Sequence, residues 1–179
     1  VYSLLTSPDN SRKELATLIT EIKNDIAICS ECFRFFAVNG GSKSICDICS
    51  NKNRDKSSLL IVMRDVDLEN IEKSRIYQGK YFVLGGGVPI LEENPEKKIR
   101  IRELESSIKN RLPELREIVM AMSLTAEGEN TEEYLRRALA PFAKENTIKI
   151  STLGRGLSTG TELEYSDAET LKSALQNRQ

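Results

Sequence analysis

Apolar residues recur along this chain with two different rhythms. In SRKELATLITEIKNDIAI, residues 11–28, Leu15, Leu18, Ile19, Ile22 and Ile26 return every third or fourth position. That period predicts a helix, with Ser11 as its N-cap. From residue 59 onward the pattern changes. LLIVM at 59–63 is a continuous apolar run of strand length, as expected of a strand buried on both faces of a parallel sheet. DLENIEKSR then reads as a short helix, KYFVLGGG as a strand ending in glycines, and KKIRIRELESSIKNRL as a helix. LREIVMAMS is a third strand, NTEEYLRRALAPFA a helix capped by Asn130, NTIKISTLG a fourth strand and DAETLKSALQNR a last helix. Strands alternating with helices of about a dozen residues predict an α/β fold, doubly wound around a mainly parallel sheet. Chemistry in such a fold gathers where the loops leave the carboxyl ends of the strands.

Charge removes one class of explanation. The chain carries 26 basic and 27 acidic residues, so its overall field does not attract a polyanion. A nucleic-acid surface must therefore be a local patch. No apolar run approaches the ~18 residues of a membrane span and no secretory leader is visible, which points to a cytosolic setting. The chain opens on Val1 rather than Met, so a preceding segment is expected.

Four cysteines change the picture of the first third. They form two C-x2-C pairs, Cys29 with Cys32 and Cys46 with Cys49, separated by 13 residues. In a reducing compartment such pairs are more often metal ligands than disulfides. Each short gap aims two thiolates at one point, and four thiolates suit Zn(II) rather than a hard cation. The stretch between the pairs, FRFFAVNGGSKSI, offers an apolar strand and then Asn39, Gly40 and Gly41, which is the make-up of a hairpin joining two knuckles. A redox-active pair, or cysteines packed as small hydrophobes, are the alternatives. The chain has no histidine, and sulfur fills all four positions, so the expected ion is structural, with no open catalytic position.

The loop SLTAEGENTEE is the other chemical candidate. Thr125, Glu127 and Glu129 offer oxygen ligands for a hard divalent ion, and Gly128 allows a sharp turn. The plainer reading is that these carboxylates decorate the first turn of the next helix, where negative charge is favoured. Gly85, Gly86 and Gly87 lack the spacing of a dinucleotide or P-loop motif.

Taken in order, CSEC and CDIC, YQGKYFVLGG, LTAEGENT and GLSTGTELEYSDAETLKSAL resemble the bacterial recombination mediator family RecR. The last block looks like that family's G-x-P-x-G-G-x-L-E-Y segment and closing helix. The resemblance implies an N-terminal helical segment over 1–28, a zinc module over 29–56, a Toprim domain over 57–153 and a C-terminal strand and helix segment over 154–179. It implies a DNA-binding factor of recombinational repair without catalysis. Such factors work with RecO, and in many bacteria RecF, to help load RecA on single strands, and they assemble as dimers or ring-like tetramers. Cys29, Cys32, Cys46 and Cys49 match the family's zinc ligands. Thr125, Glu127 and Glu129 match its T-x-E-G-E motif, which faces the partner surface.

Three departures weaken specific parts of that inheritance. Met63 stands where the family's first Toprim strand ends in an acid, and a thioether cannot replace a carboxylate at Mg(II). Asp65 and Asp67, in the following turn, are the carboxylates that would have to substitute. GVPILEENPEKKIRI replaces a glycine-rich loop of the family, and its helix-hairpin-helix region would precede Val1 and is absent from this sequence. For DNA, Arg34, Lys43, Lys52, Arg54 and Lys56 around the cysteines are the candidate phosphate contacts, with Lys97, Lys98, Arg100 and Arg102 as a second run. Phe33, Phe35 and Phe36 are placed to stack on unpaired bases, although two of the three are expected to pack the zinc module instead. Two other readings remain: a Toprim nuclease or nucleotidyl transferase using Glu127 and Glu129 with Mg(II), and a scaffold that has lost DNA binding.

Overall fold

A computed structural model describes residues 2–38, 44–154, 166 and 168–176. Its centre is a four-stranded parallel sheet of β3 (Ser58–Val62), β4 (Lys80–Val83), β5 (Glu117–Ala121) and β6 (Lys149–Thr152), in the order β4-β3-β5-β6. β3 pairs with β5 from Ser58↔Glu117 to Val62↔Ala121, and with β4 from Leu59↔Lys80 to Val62↔Val83. The apolar run at 59–63 is thus the inner strand that its composition predicts. Because side chains alternate across a strand, that run supplies both cores. Leu59 and Ile61, with Phe82, Ile118 and Met120, join α5 (Ile101–Arg111) and α6 (Ala126–Asn146) through Leu104, Ile108, Leu135 and Leu139. Leu60 and Val62, with Tyr81 and Val83, face the other way. There they meet α4 (Asp65–Ser74) through Leu68, and all four cysteines. Helices therefore flank both faces, as the sequence pattern implies.

The first third differs from expectation in three ways. α1 (Tyr2–Thr6) precedes α2 (Asp9–Asp25), which starts after Pro8, so Ser11 lies inside the first turn rather than at the cap. Pro presets a helical φ and lacks an N–H needing a partner, so it suits a helix start. α2 also stops before Ile26, which begins the strand β1 (Ile26–Ile28). No residue of α2 is buried: Leu18, Ile19 and Ile22 are about 60% exposed. The strand between the knuckles also pairs back along the chain. β2 (Phe35–Ala37) pairs antiparallel with β1, Ile26↔Ala37 to Ile28↔Phe35, so the first knuckle is itself the hairpin turn. Cys29 N–H donates to the Arg34 carbonyl at 2.9 Å and Phe33 N–H to the Cys29 carbonyl at 3.0 Å, while Phe33 turns the chain at φ 62°. Asn39, Gly40 and Gly41 lie outside the described residues.

The cysteine module sits astride β4, an edge strand of the sheet. Val83 N–H donates to the Cys32 carbonyl at 2.8 Å, covering part of the open edge. On one side Phe33 packs against Phe82, ring centroids 5.3 Å apart. On the other the cysteines join Tyr81 and Val83. Asp65, after β3, accepts a hydrogen bond from Phe35 N–H at 2.7 Å and ties the hairpin to the α4 end of the sheet.

Candidate functional site

The two knuckles converge on one point. All four Sγ atoms lie within 4.8 Å of one another, and all four residues are buried. Cys32 and Cys46 Sγ are 3.6 Å apart, far beyond an S–S bond of about 2.05 Å. Four thiolates at about 2.3 Å from one zinc would sit about 3.8 Å from each other, so the cluster has the size of a tetrahedral metal cage. The second knuckle is set by α3 (Asp47–Ser50), with Cys46 at its N-cap and Cys49 within it. Cys46 N–H points at Cys29 Sγ, 3.4 Å away. Hydrogen bonds from Cys32, Cys46 and Cys49 hold the Cys29 thiol well below its ordinary range. Hydrogen bonding to Cys29, Cys32 and Cys46, with burial, pushes Cys49 up. Four crowded sulfurs cannot all ionise without a positive charge among them, and a dication supplies one.

At the carboxyl ends of the strands a second site forms around Gly87. A Cβ added to this glycine would strike both the Glu127 carboxylate and the Met63 terminal methyl, so those two side chains press on one bare stretch of backbone. Met63 is buried at the end of β3. α6 begins one turn earlier than the sequence pattern implies. Its cap is Thr125, whose hydroxyl accepts from Gly128 N–H at 3.1 Å, and not Asn130. Glu127 and Glu129 therefore occupy the first turn, where carboxylates offset the helix dipole. Asn130 instead donates to the Val88 and Pro89 carbonyls at 2.9 and 3.2 Å. Thr131 accepts from Val88 N–H at 2.8 Å while donating to the Glu127 carbonyl at 2.6 Å, so the helix start is laced to the loop after β4.

The substitute carboxylates are committed elsewhere. Asp65 holds Phe35 N–H, and Asp67 accepts from Arg64 N–H at 3.0 Å to cap α4. Among the described residues, the four cysteines are the one group of three or more potential ligands that converges.

The proposed DNA contacts are scattered in role. Arg54 requires correction: it is 9% exposed, pairs with Glu72, donates to the Gly79 carbonyl at 2.8 Å and lies over the Tyr81 ring at 5.6 Å. Its guanidinium holds the fold together and is not presented to phosphate. Arg34 reaches Asp47 at 3.5 Å, linking the knuckles. Lys56 pairs with Glu114 at 3.3 Å on the surface, Lys52 is exposed, and Lys43 lies outside the described residues. In the second run, Lys97, Lys98 and Arg102 are exposed, whereas Arg100 donates to the Phe33 and Val83 carbonyls at 3.3 and 3.1 Å. Arg102 also lines a cleft of about 490 Å³ with Ser30, Phe33, Ser106 and Arg111. Phe33 and Phe36 are part-buried against the two cores, and Phe35 is 52% exposed.

This sheet, with its glycine-backed acidic turn and its cysteine module, defines a Toprim-domain protein carrying a candidate metal knuckle: residues 57–153 match the Toprim domain, and residues 156–179 match RecR, C-terminal. Three relatives called Recombination protein RecR align along nearly the whole chain. That of Dehalococcoides mccartyi is 35% identical over 178 residues, 99% of this chain and 82% of its own length. That of Cyanothece sp. is 34% identical over 175 residues, 98% of this chain and 82% of its own. That of Lactobacillus helveticus is 32% identical over 177 residues, 99% and 84%. The chain belongs to the RecR family.

Proposed function

We propose that this chain is a mediator of recombinational DNA repair that binds DNA and a partner protein and carries out no catalysis. The observation that carries the reading is Met63, whose methyl group lies against Gly87 beside Glu127 at the end of β3. Phosphoryl transfer by a Toprim-type site needs carboxylates converging there to hold Mg(II), and a buried thioether excludes that ion by chemistry as well as by volume. Thr125, Glu127 and Glu129 remain as a part-exposed polar edge offered to a partner, RecO or RecF, in helping to load RecA. Cys29, Cys32, Cys46 and Cys49 hold zinc, which staples the knuckles to β4. DNA is gripped without regard to sequence by exposed cations, Lys52, Lys56, Lys97, Lys98 and Arg102, and the protein assembles as a homodimer or a tetramer in the cytoplasm. No helix among the described residues is long and apolar enough to cross a membrane.

The test is a titration of fluorescent single-stranded DNA at rising salt, run beside incubation of the same DNA with Mg(II) or Mn(II). Binding that weakens steeply with salt, and intact DNA, are expected. Sustained cleavage would establish the enzyme reading instead. Absence of binding at low salt would leave a scaffold.

A further inference from the structure

β4 begins with a cation whose surroundings nothing in its own strand explains. Lys80 is 5% exposed, and its Nζ donates to three backbone carbonyls, Ile48 at 3.2 Å, Cys49 at 2.8 Å and Asn51 at 3.0 Å. These carbonyls close the end of α3, the helix that carries Cys49. Among the described residues no carboxylate forms an ion pair with Lys80, whereas Arg34, between the knuckles, has Asp47. A buried charge without an opposite charge nearby is strongly disfavoured. Four thiolates around one dication leave two net negative charges, an equally unfavourable excess in a buried site.

We propose that Lys80 is the buried counter-ion of the metal–thiolate centre and the latch through which metal occupancy is coupled to the sheet. This inference rests on the zinc reading of the four cysteines. The ammonium is hydrogen-bonded at 2.8 Å to the main-chain carbonyl of Cys49, the residue that carries one of the four sulfurs. The same strand holds the other knuckle three residues on, where Val83 N–H meets the Cys32 carbonyl. β4 therefore grips both halves of the cage, one by side chain and one by backbone. Metal loss leaves the Lys80 charge uncompensated and loosens the edge strand with the knuckles. Charge loss at Lys80 leaves the thiolates less well neutralised and speeds metal release.

The experiment compares wild type, Lys80→Gln and Lys80→Arg as full chains. Zinc content is measured by elemental assay, the rate of zinc release to a chromogenic chelator by absorbance, and amide exchange over 80–83 by mass spectrometry. Glutamine keeps hydrogen-bond donors without charge, and arginine keeps the charge. Zinc release from Lys80→Gln about 10–100-fold faster than from wild type is expected, if the 10–100-fold loss of affinity that follows removal of outer-shell partners is expressed in the off-rate. Lys80→Arg should stay within a few-fold of wild type, and β4 should lose protection in Lys80→Gln and in zinc-stripped wild type alike. Wild type devoid of zinc overturns the zinc reading and this inference with it. Wild type that holds zinc while Lys80→Gln releases it no faster overturns the counter-ion alone. Should Lys80→Gln not be recovered folded, Lys80→Arg decides: release as fast as from wild type supports the inference, and release tenfold faster defeats it.

Discussion

Replacing Arg54 by Ala separates a cation of the fold from a cation of the DNA surface. The guanidinium pairs with Glu72, holds the Gly79 carbonyl and covers the Tyr81 ring, at 9% exposure. A hydrogen bond to a charged group contributes about 1.5–3 kcal/mol, and a desolvated cation–π contact about 2 kcal/mol. Truncation also leaves Glu72 beside the buried Tyr81 phenol, whose ionisation burial and Glu72 already push up. Breaking one partner of such a pair destabilises by about 3–5 kcal/mol in all. For a chain of this length that lowers Tm by roughly 6–20 °C. The assay is urea unfolding with zinc present, paired with DNA titrations at a temperature where both proteins are folded. The slope of log affinity against log salt should match wild type, because no phosphate contact is lost. An unchanged unfolding midpoint together with a salt slope smaller by about one would refute the reasoning and return Arg54 to the DNA surface.

Three further outcomes follow from the same geometry. Cys46→Ser should abolish zinc retention and unfold the two knuckles, since structural zinc supplies about 10–16 kcal/mol of apparent binding energy; full zinc content by elemental assay would disprove the four-sulfur site. Gly128→Ala should destabilise by about 2 kcal/mol or more in chemical unfolding, because the new Cβ collides with the Ser123 carbonyl at the start of α6; a change below about 0.5 kcal/mol would mean that this turn is not as tight as described. Glu117 is held below its ordinary value of 4.5 by the Ser151 hydroxyl and then Lys149, so its stabilisation is present above 4.5 and lost as pH falls through the lowered value. The stability gap between wild type and Glu117→Gln should therefore shrink on acidification below 4.5, and a gap constant with pH would remove the assignment.

What was legible in the sequence was whatever short-range spacing determines. Two C-x2-C pairs mark a cage because the knuckle geometry is local, and LLIVM marks an inner strand because both of its faces are buried. The helix period of α2 was legible, but periodicity says nothing of what an apolar face meets, and Leu18, Ile19 and Ile22 face outward. Asn130 looked like a cap because the Glu and Gly before it read as loop. The Thr125 hydroxyl and the glycine packing against Ser123 start the helix earlier. Arg54 and Lys80 were illegible for a different reason. The partners of Arg54 are Glu72 and Gly79, and those of Lys80 are carbonyls about thirty residues back, so nothing adjacent in sequence signals burial.

These long-range cations explain why a small module with little apolar content stays fixed to the sheet. Phe33 fills one side of β4, the cysteines fill the other, and between them Val83 N–H, Lys80 and Arg100 tie main-chain carbonyls of the module and of the sheet edge. Each tie uses a carbonyl as acceptor, so it is indifferent to side-chain identity in the knuckles and depends only on their path. On the proposed zinc reading the cage sets that path, because four sulfurs on one ion would leave the two loops a single way to close. The first Toprim strand, meanwhile, is followed by a buried methionine that lies with Glu127 over Gly87, at the polar start of α6. The proposed function, with DNA and a partner protein held at once, requires that the cysteine module and the start of α6 not move independently. The paired strands β3 and β4 are the common mount: Met63 follows β3 directly, Gly87 comes four residues after β4, and the cysteine module packs on the same pair.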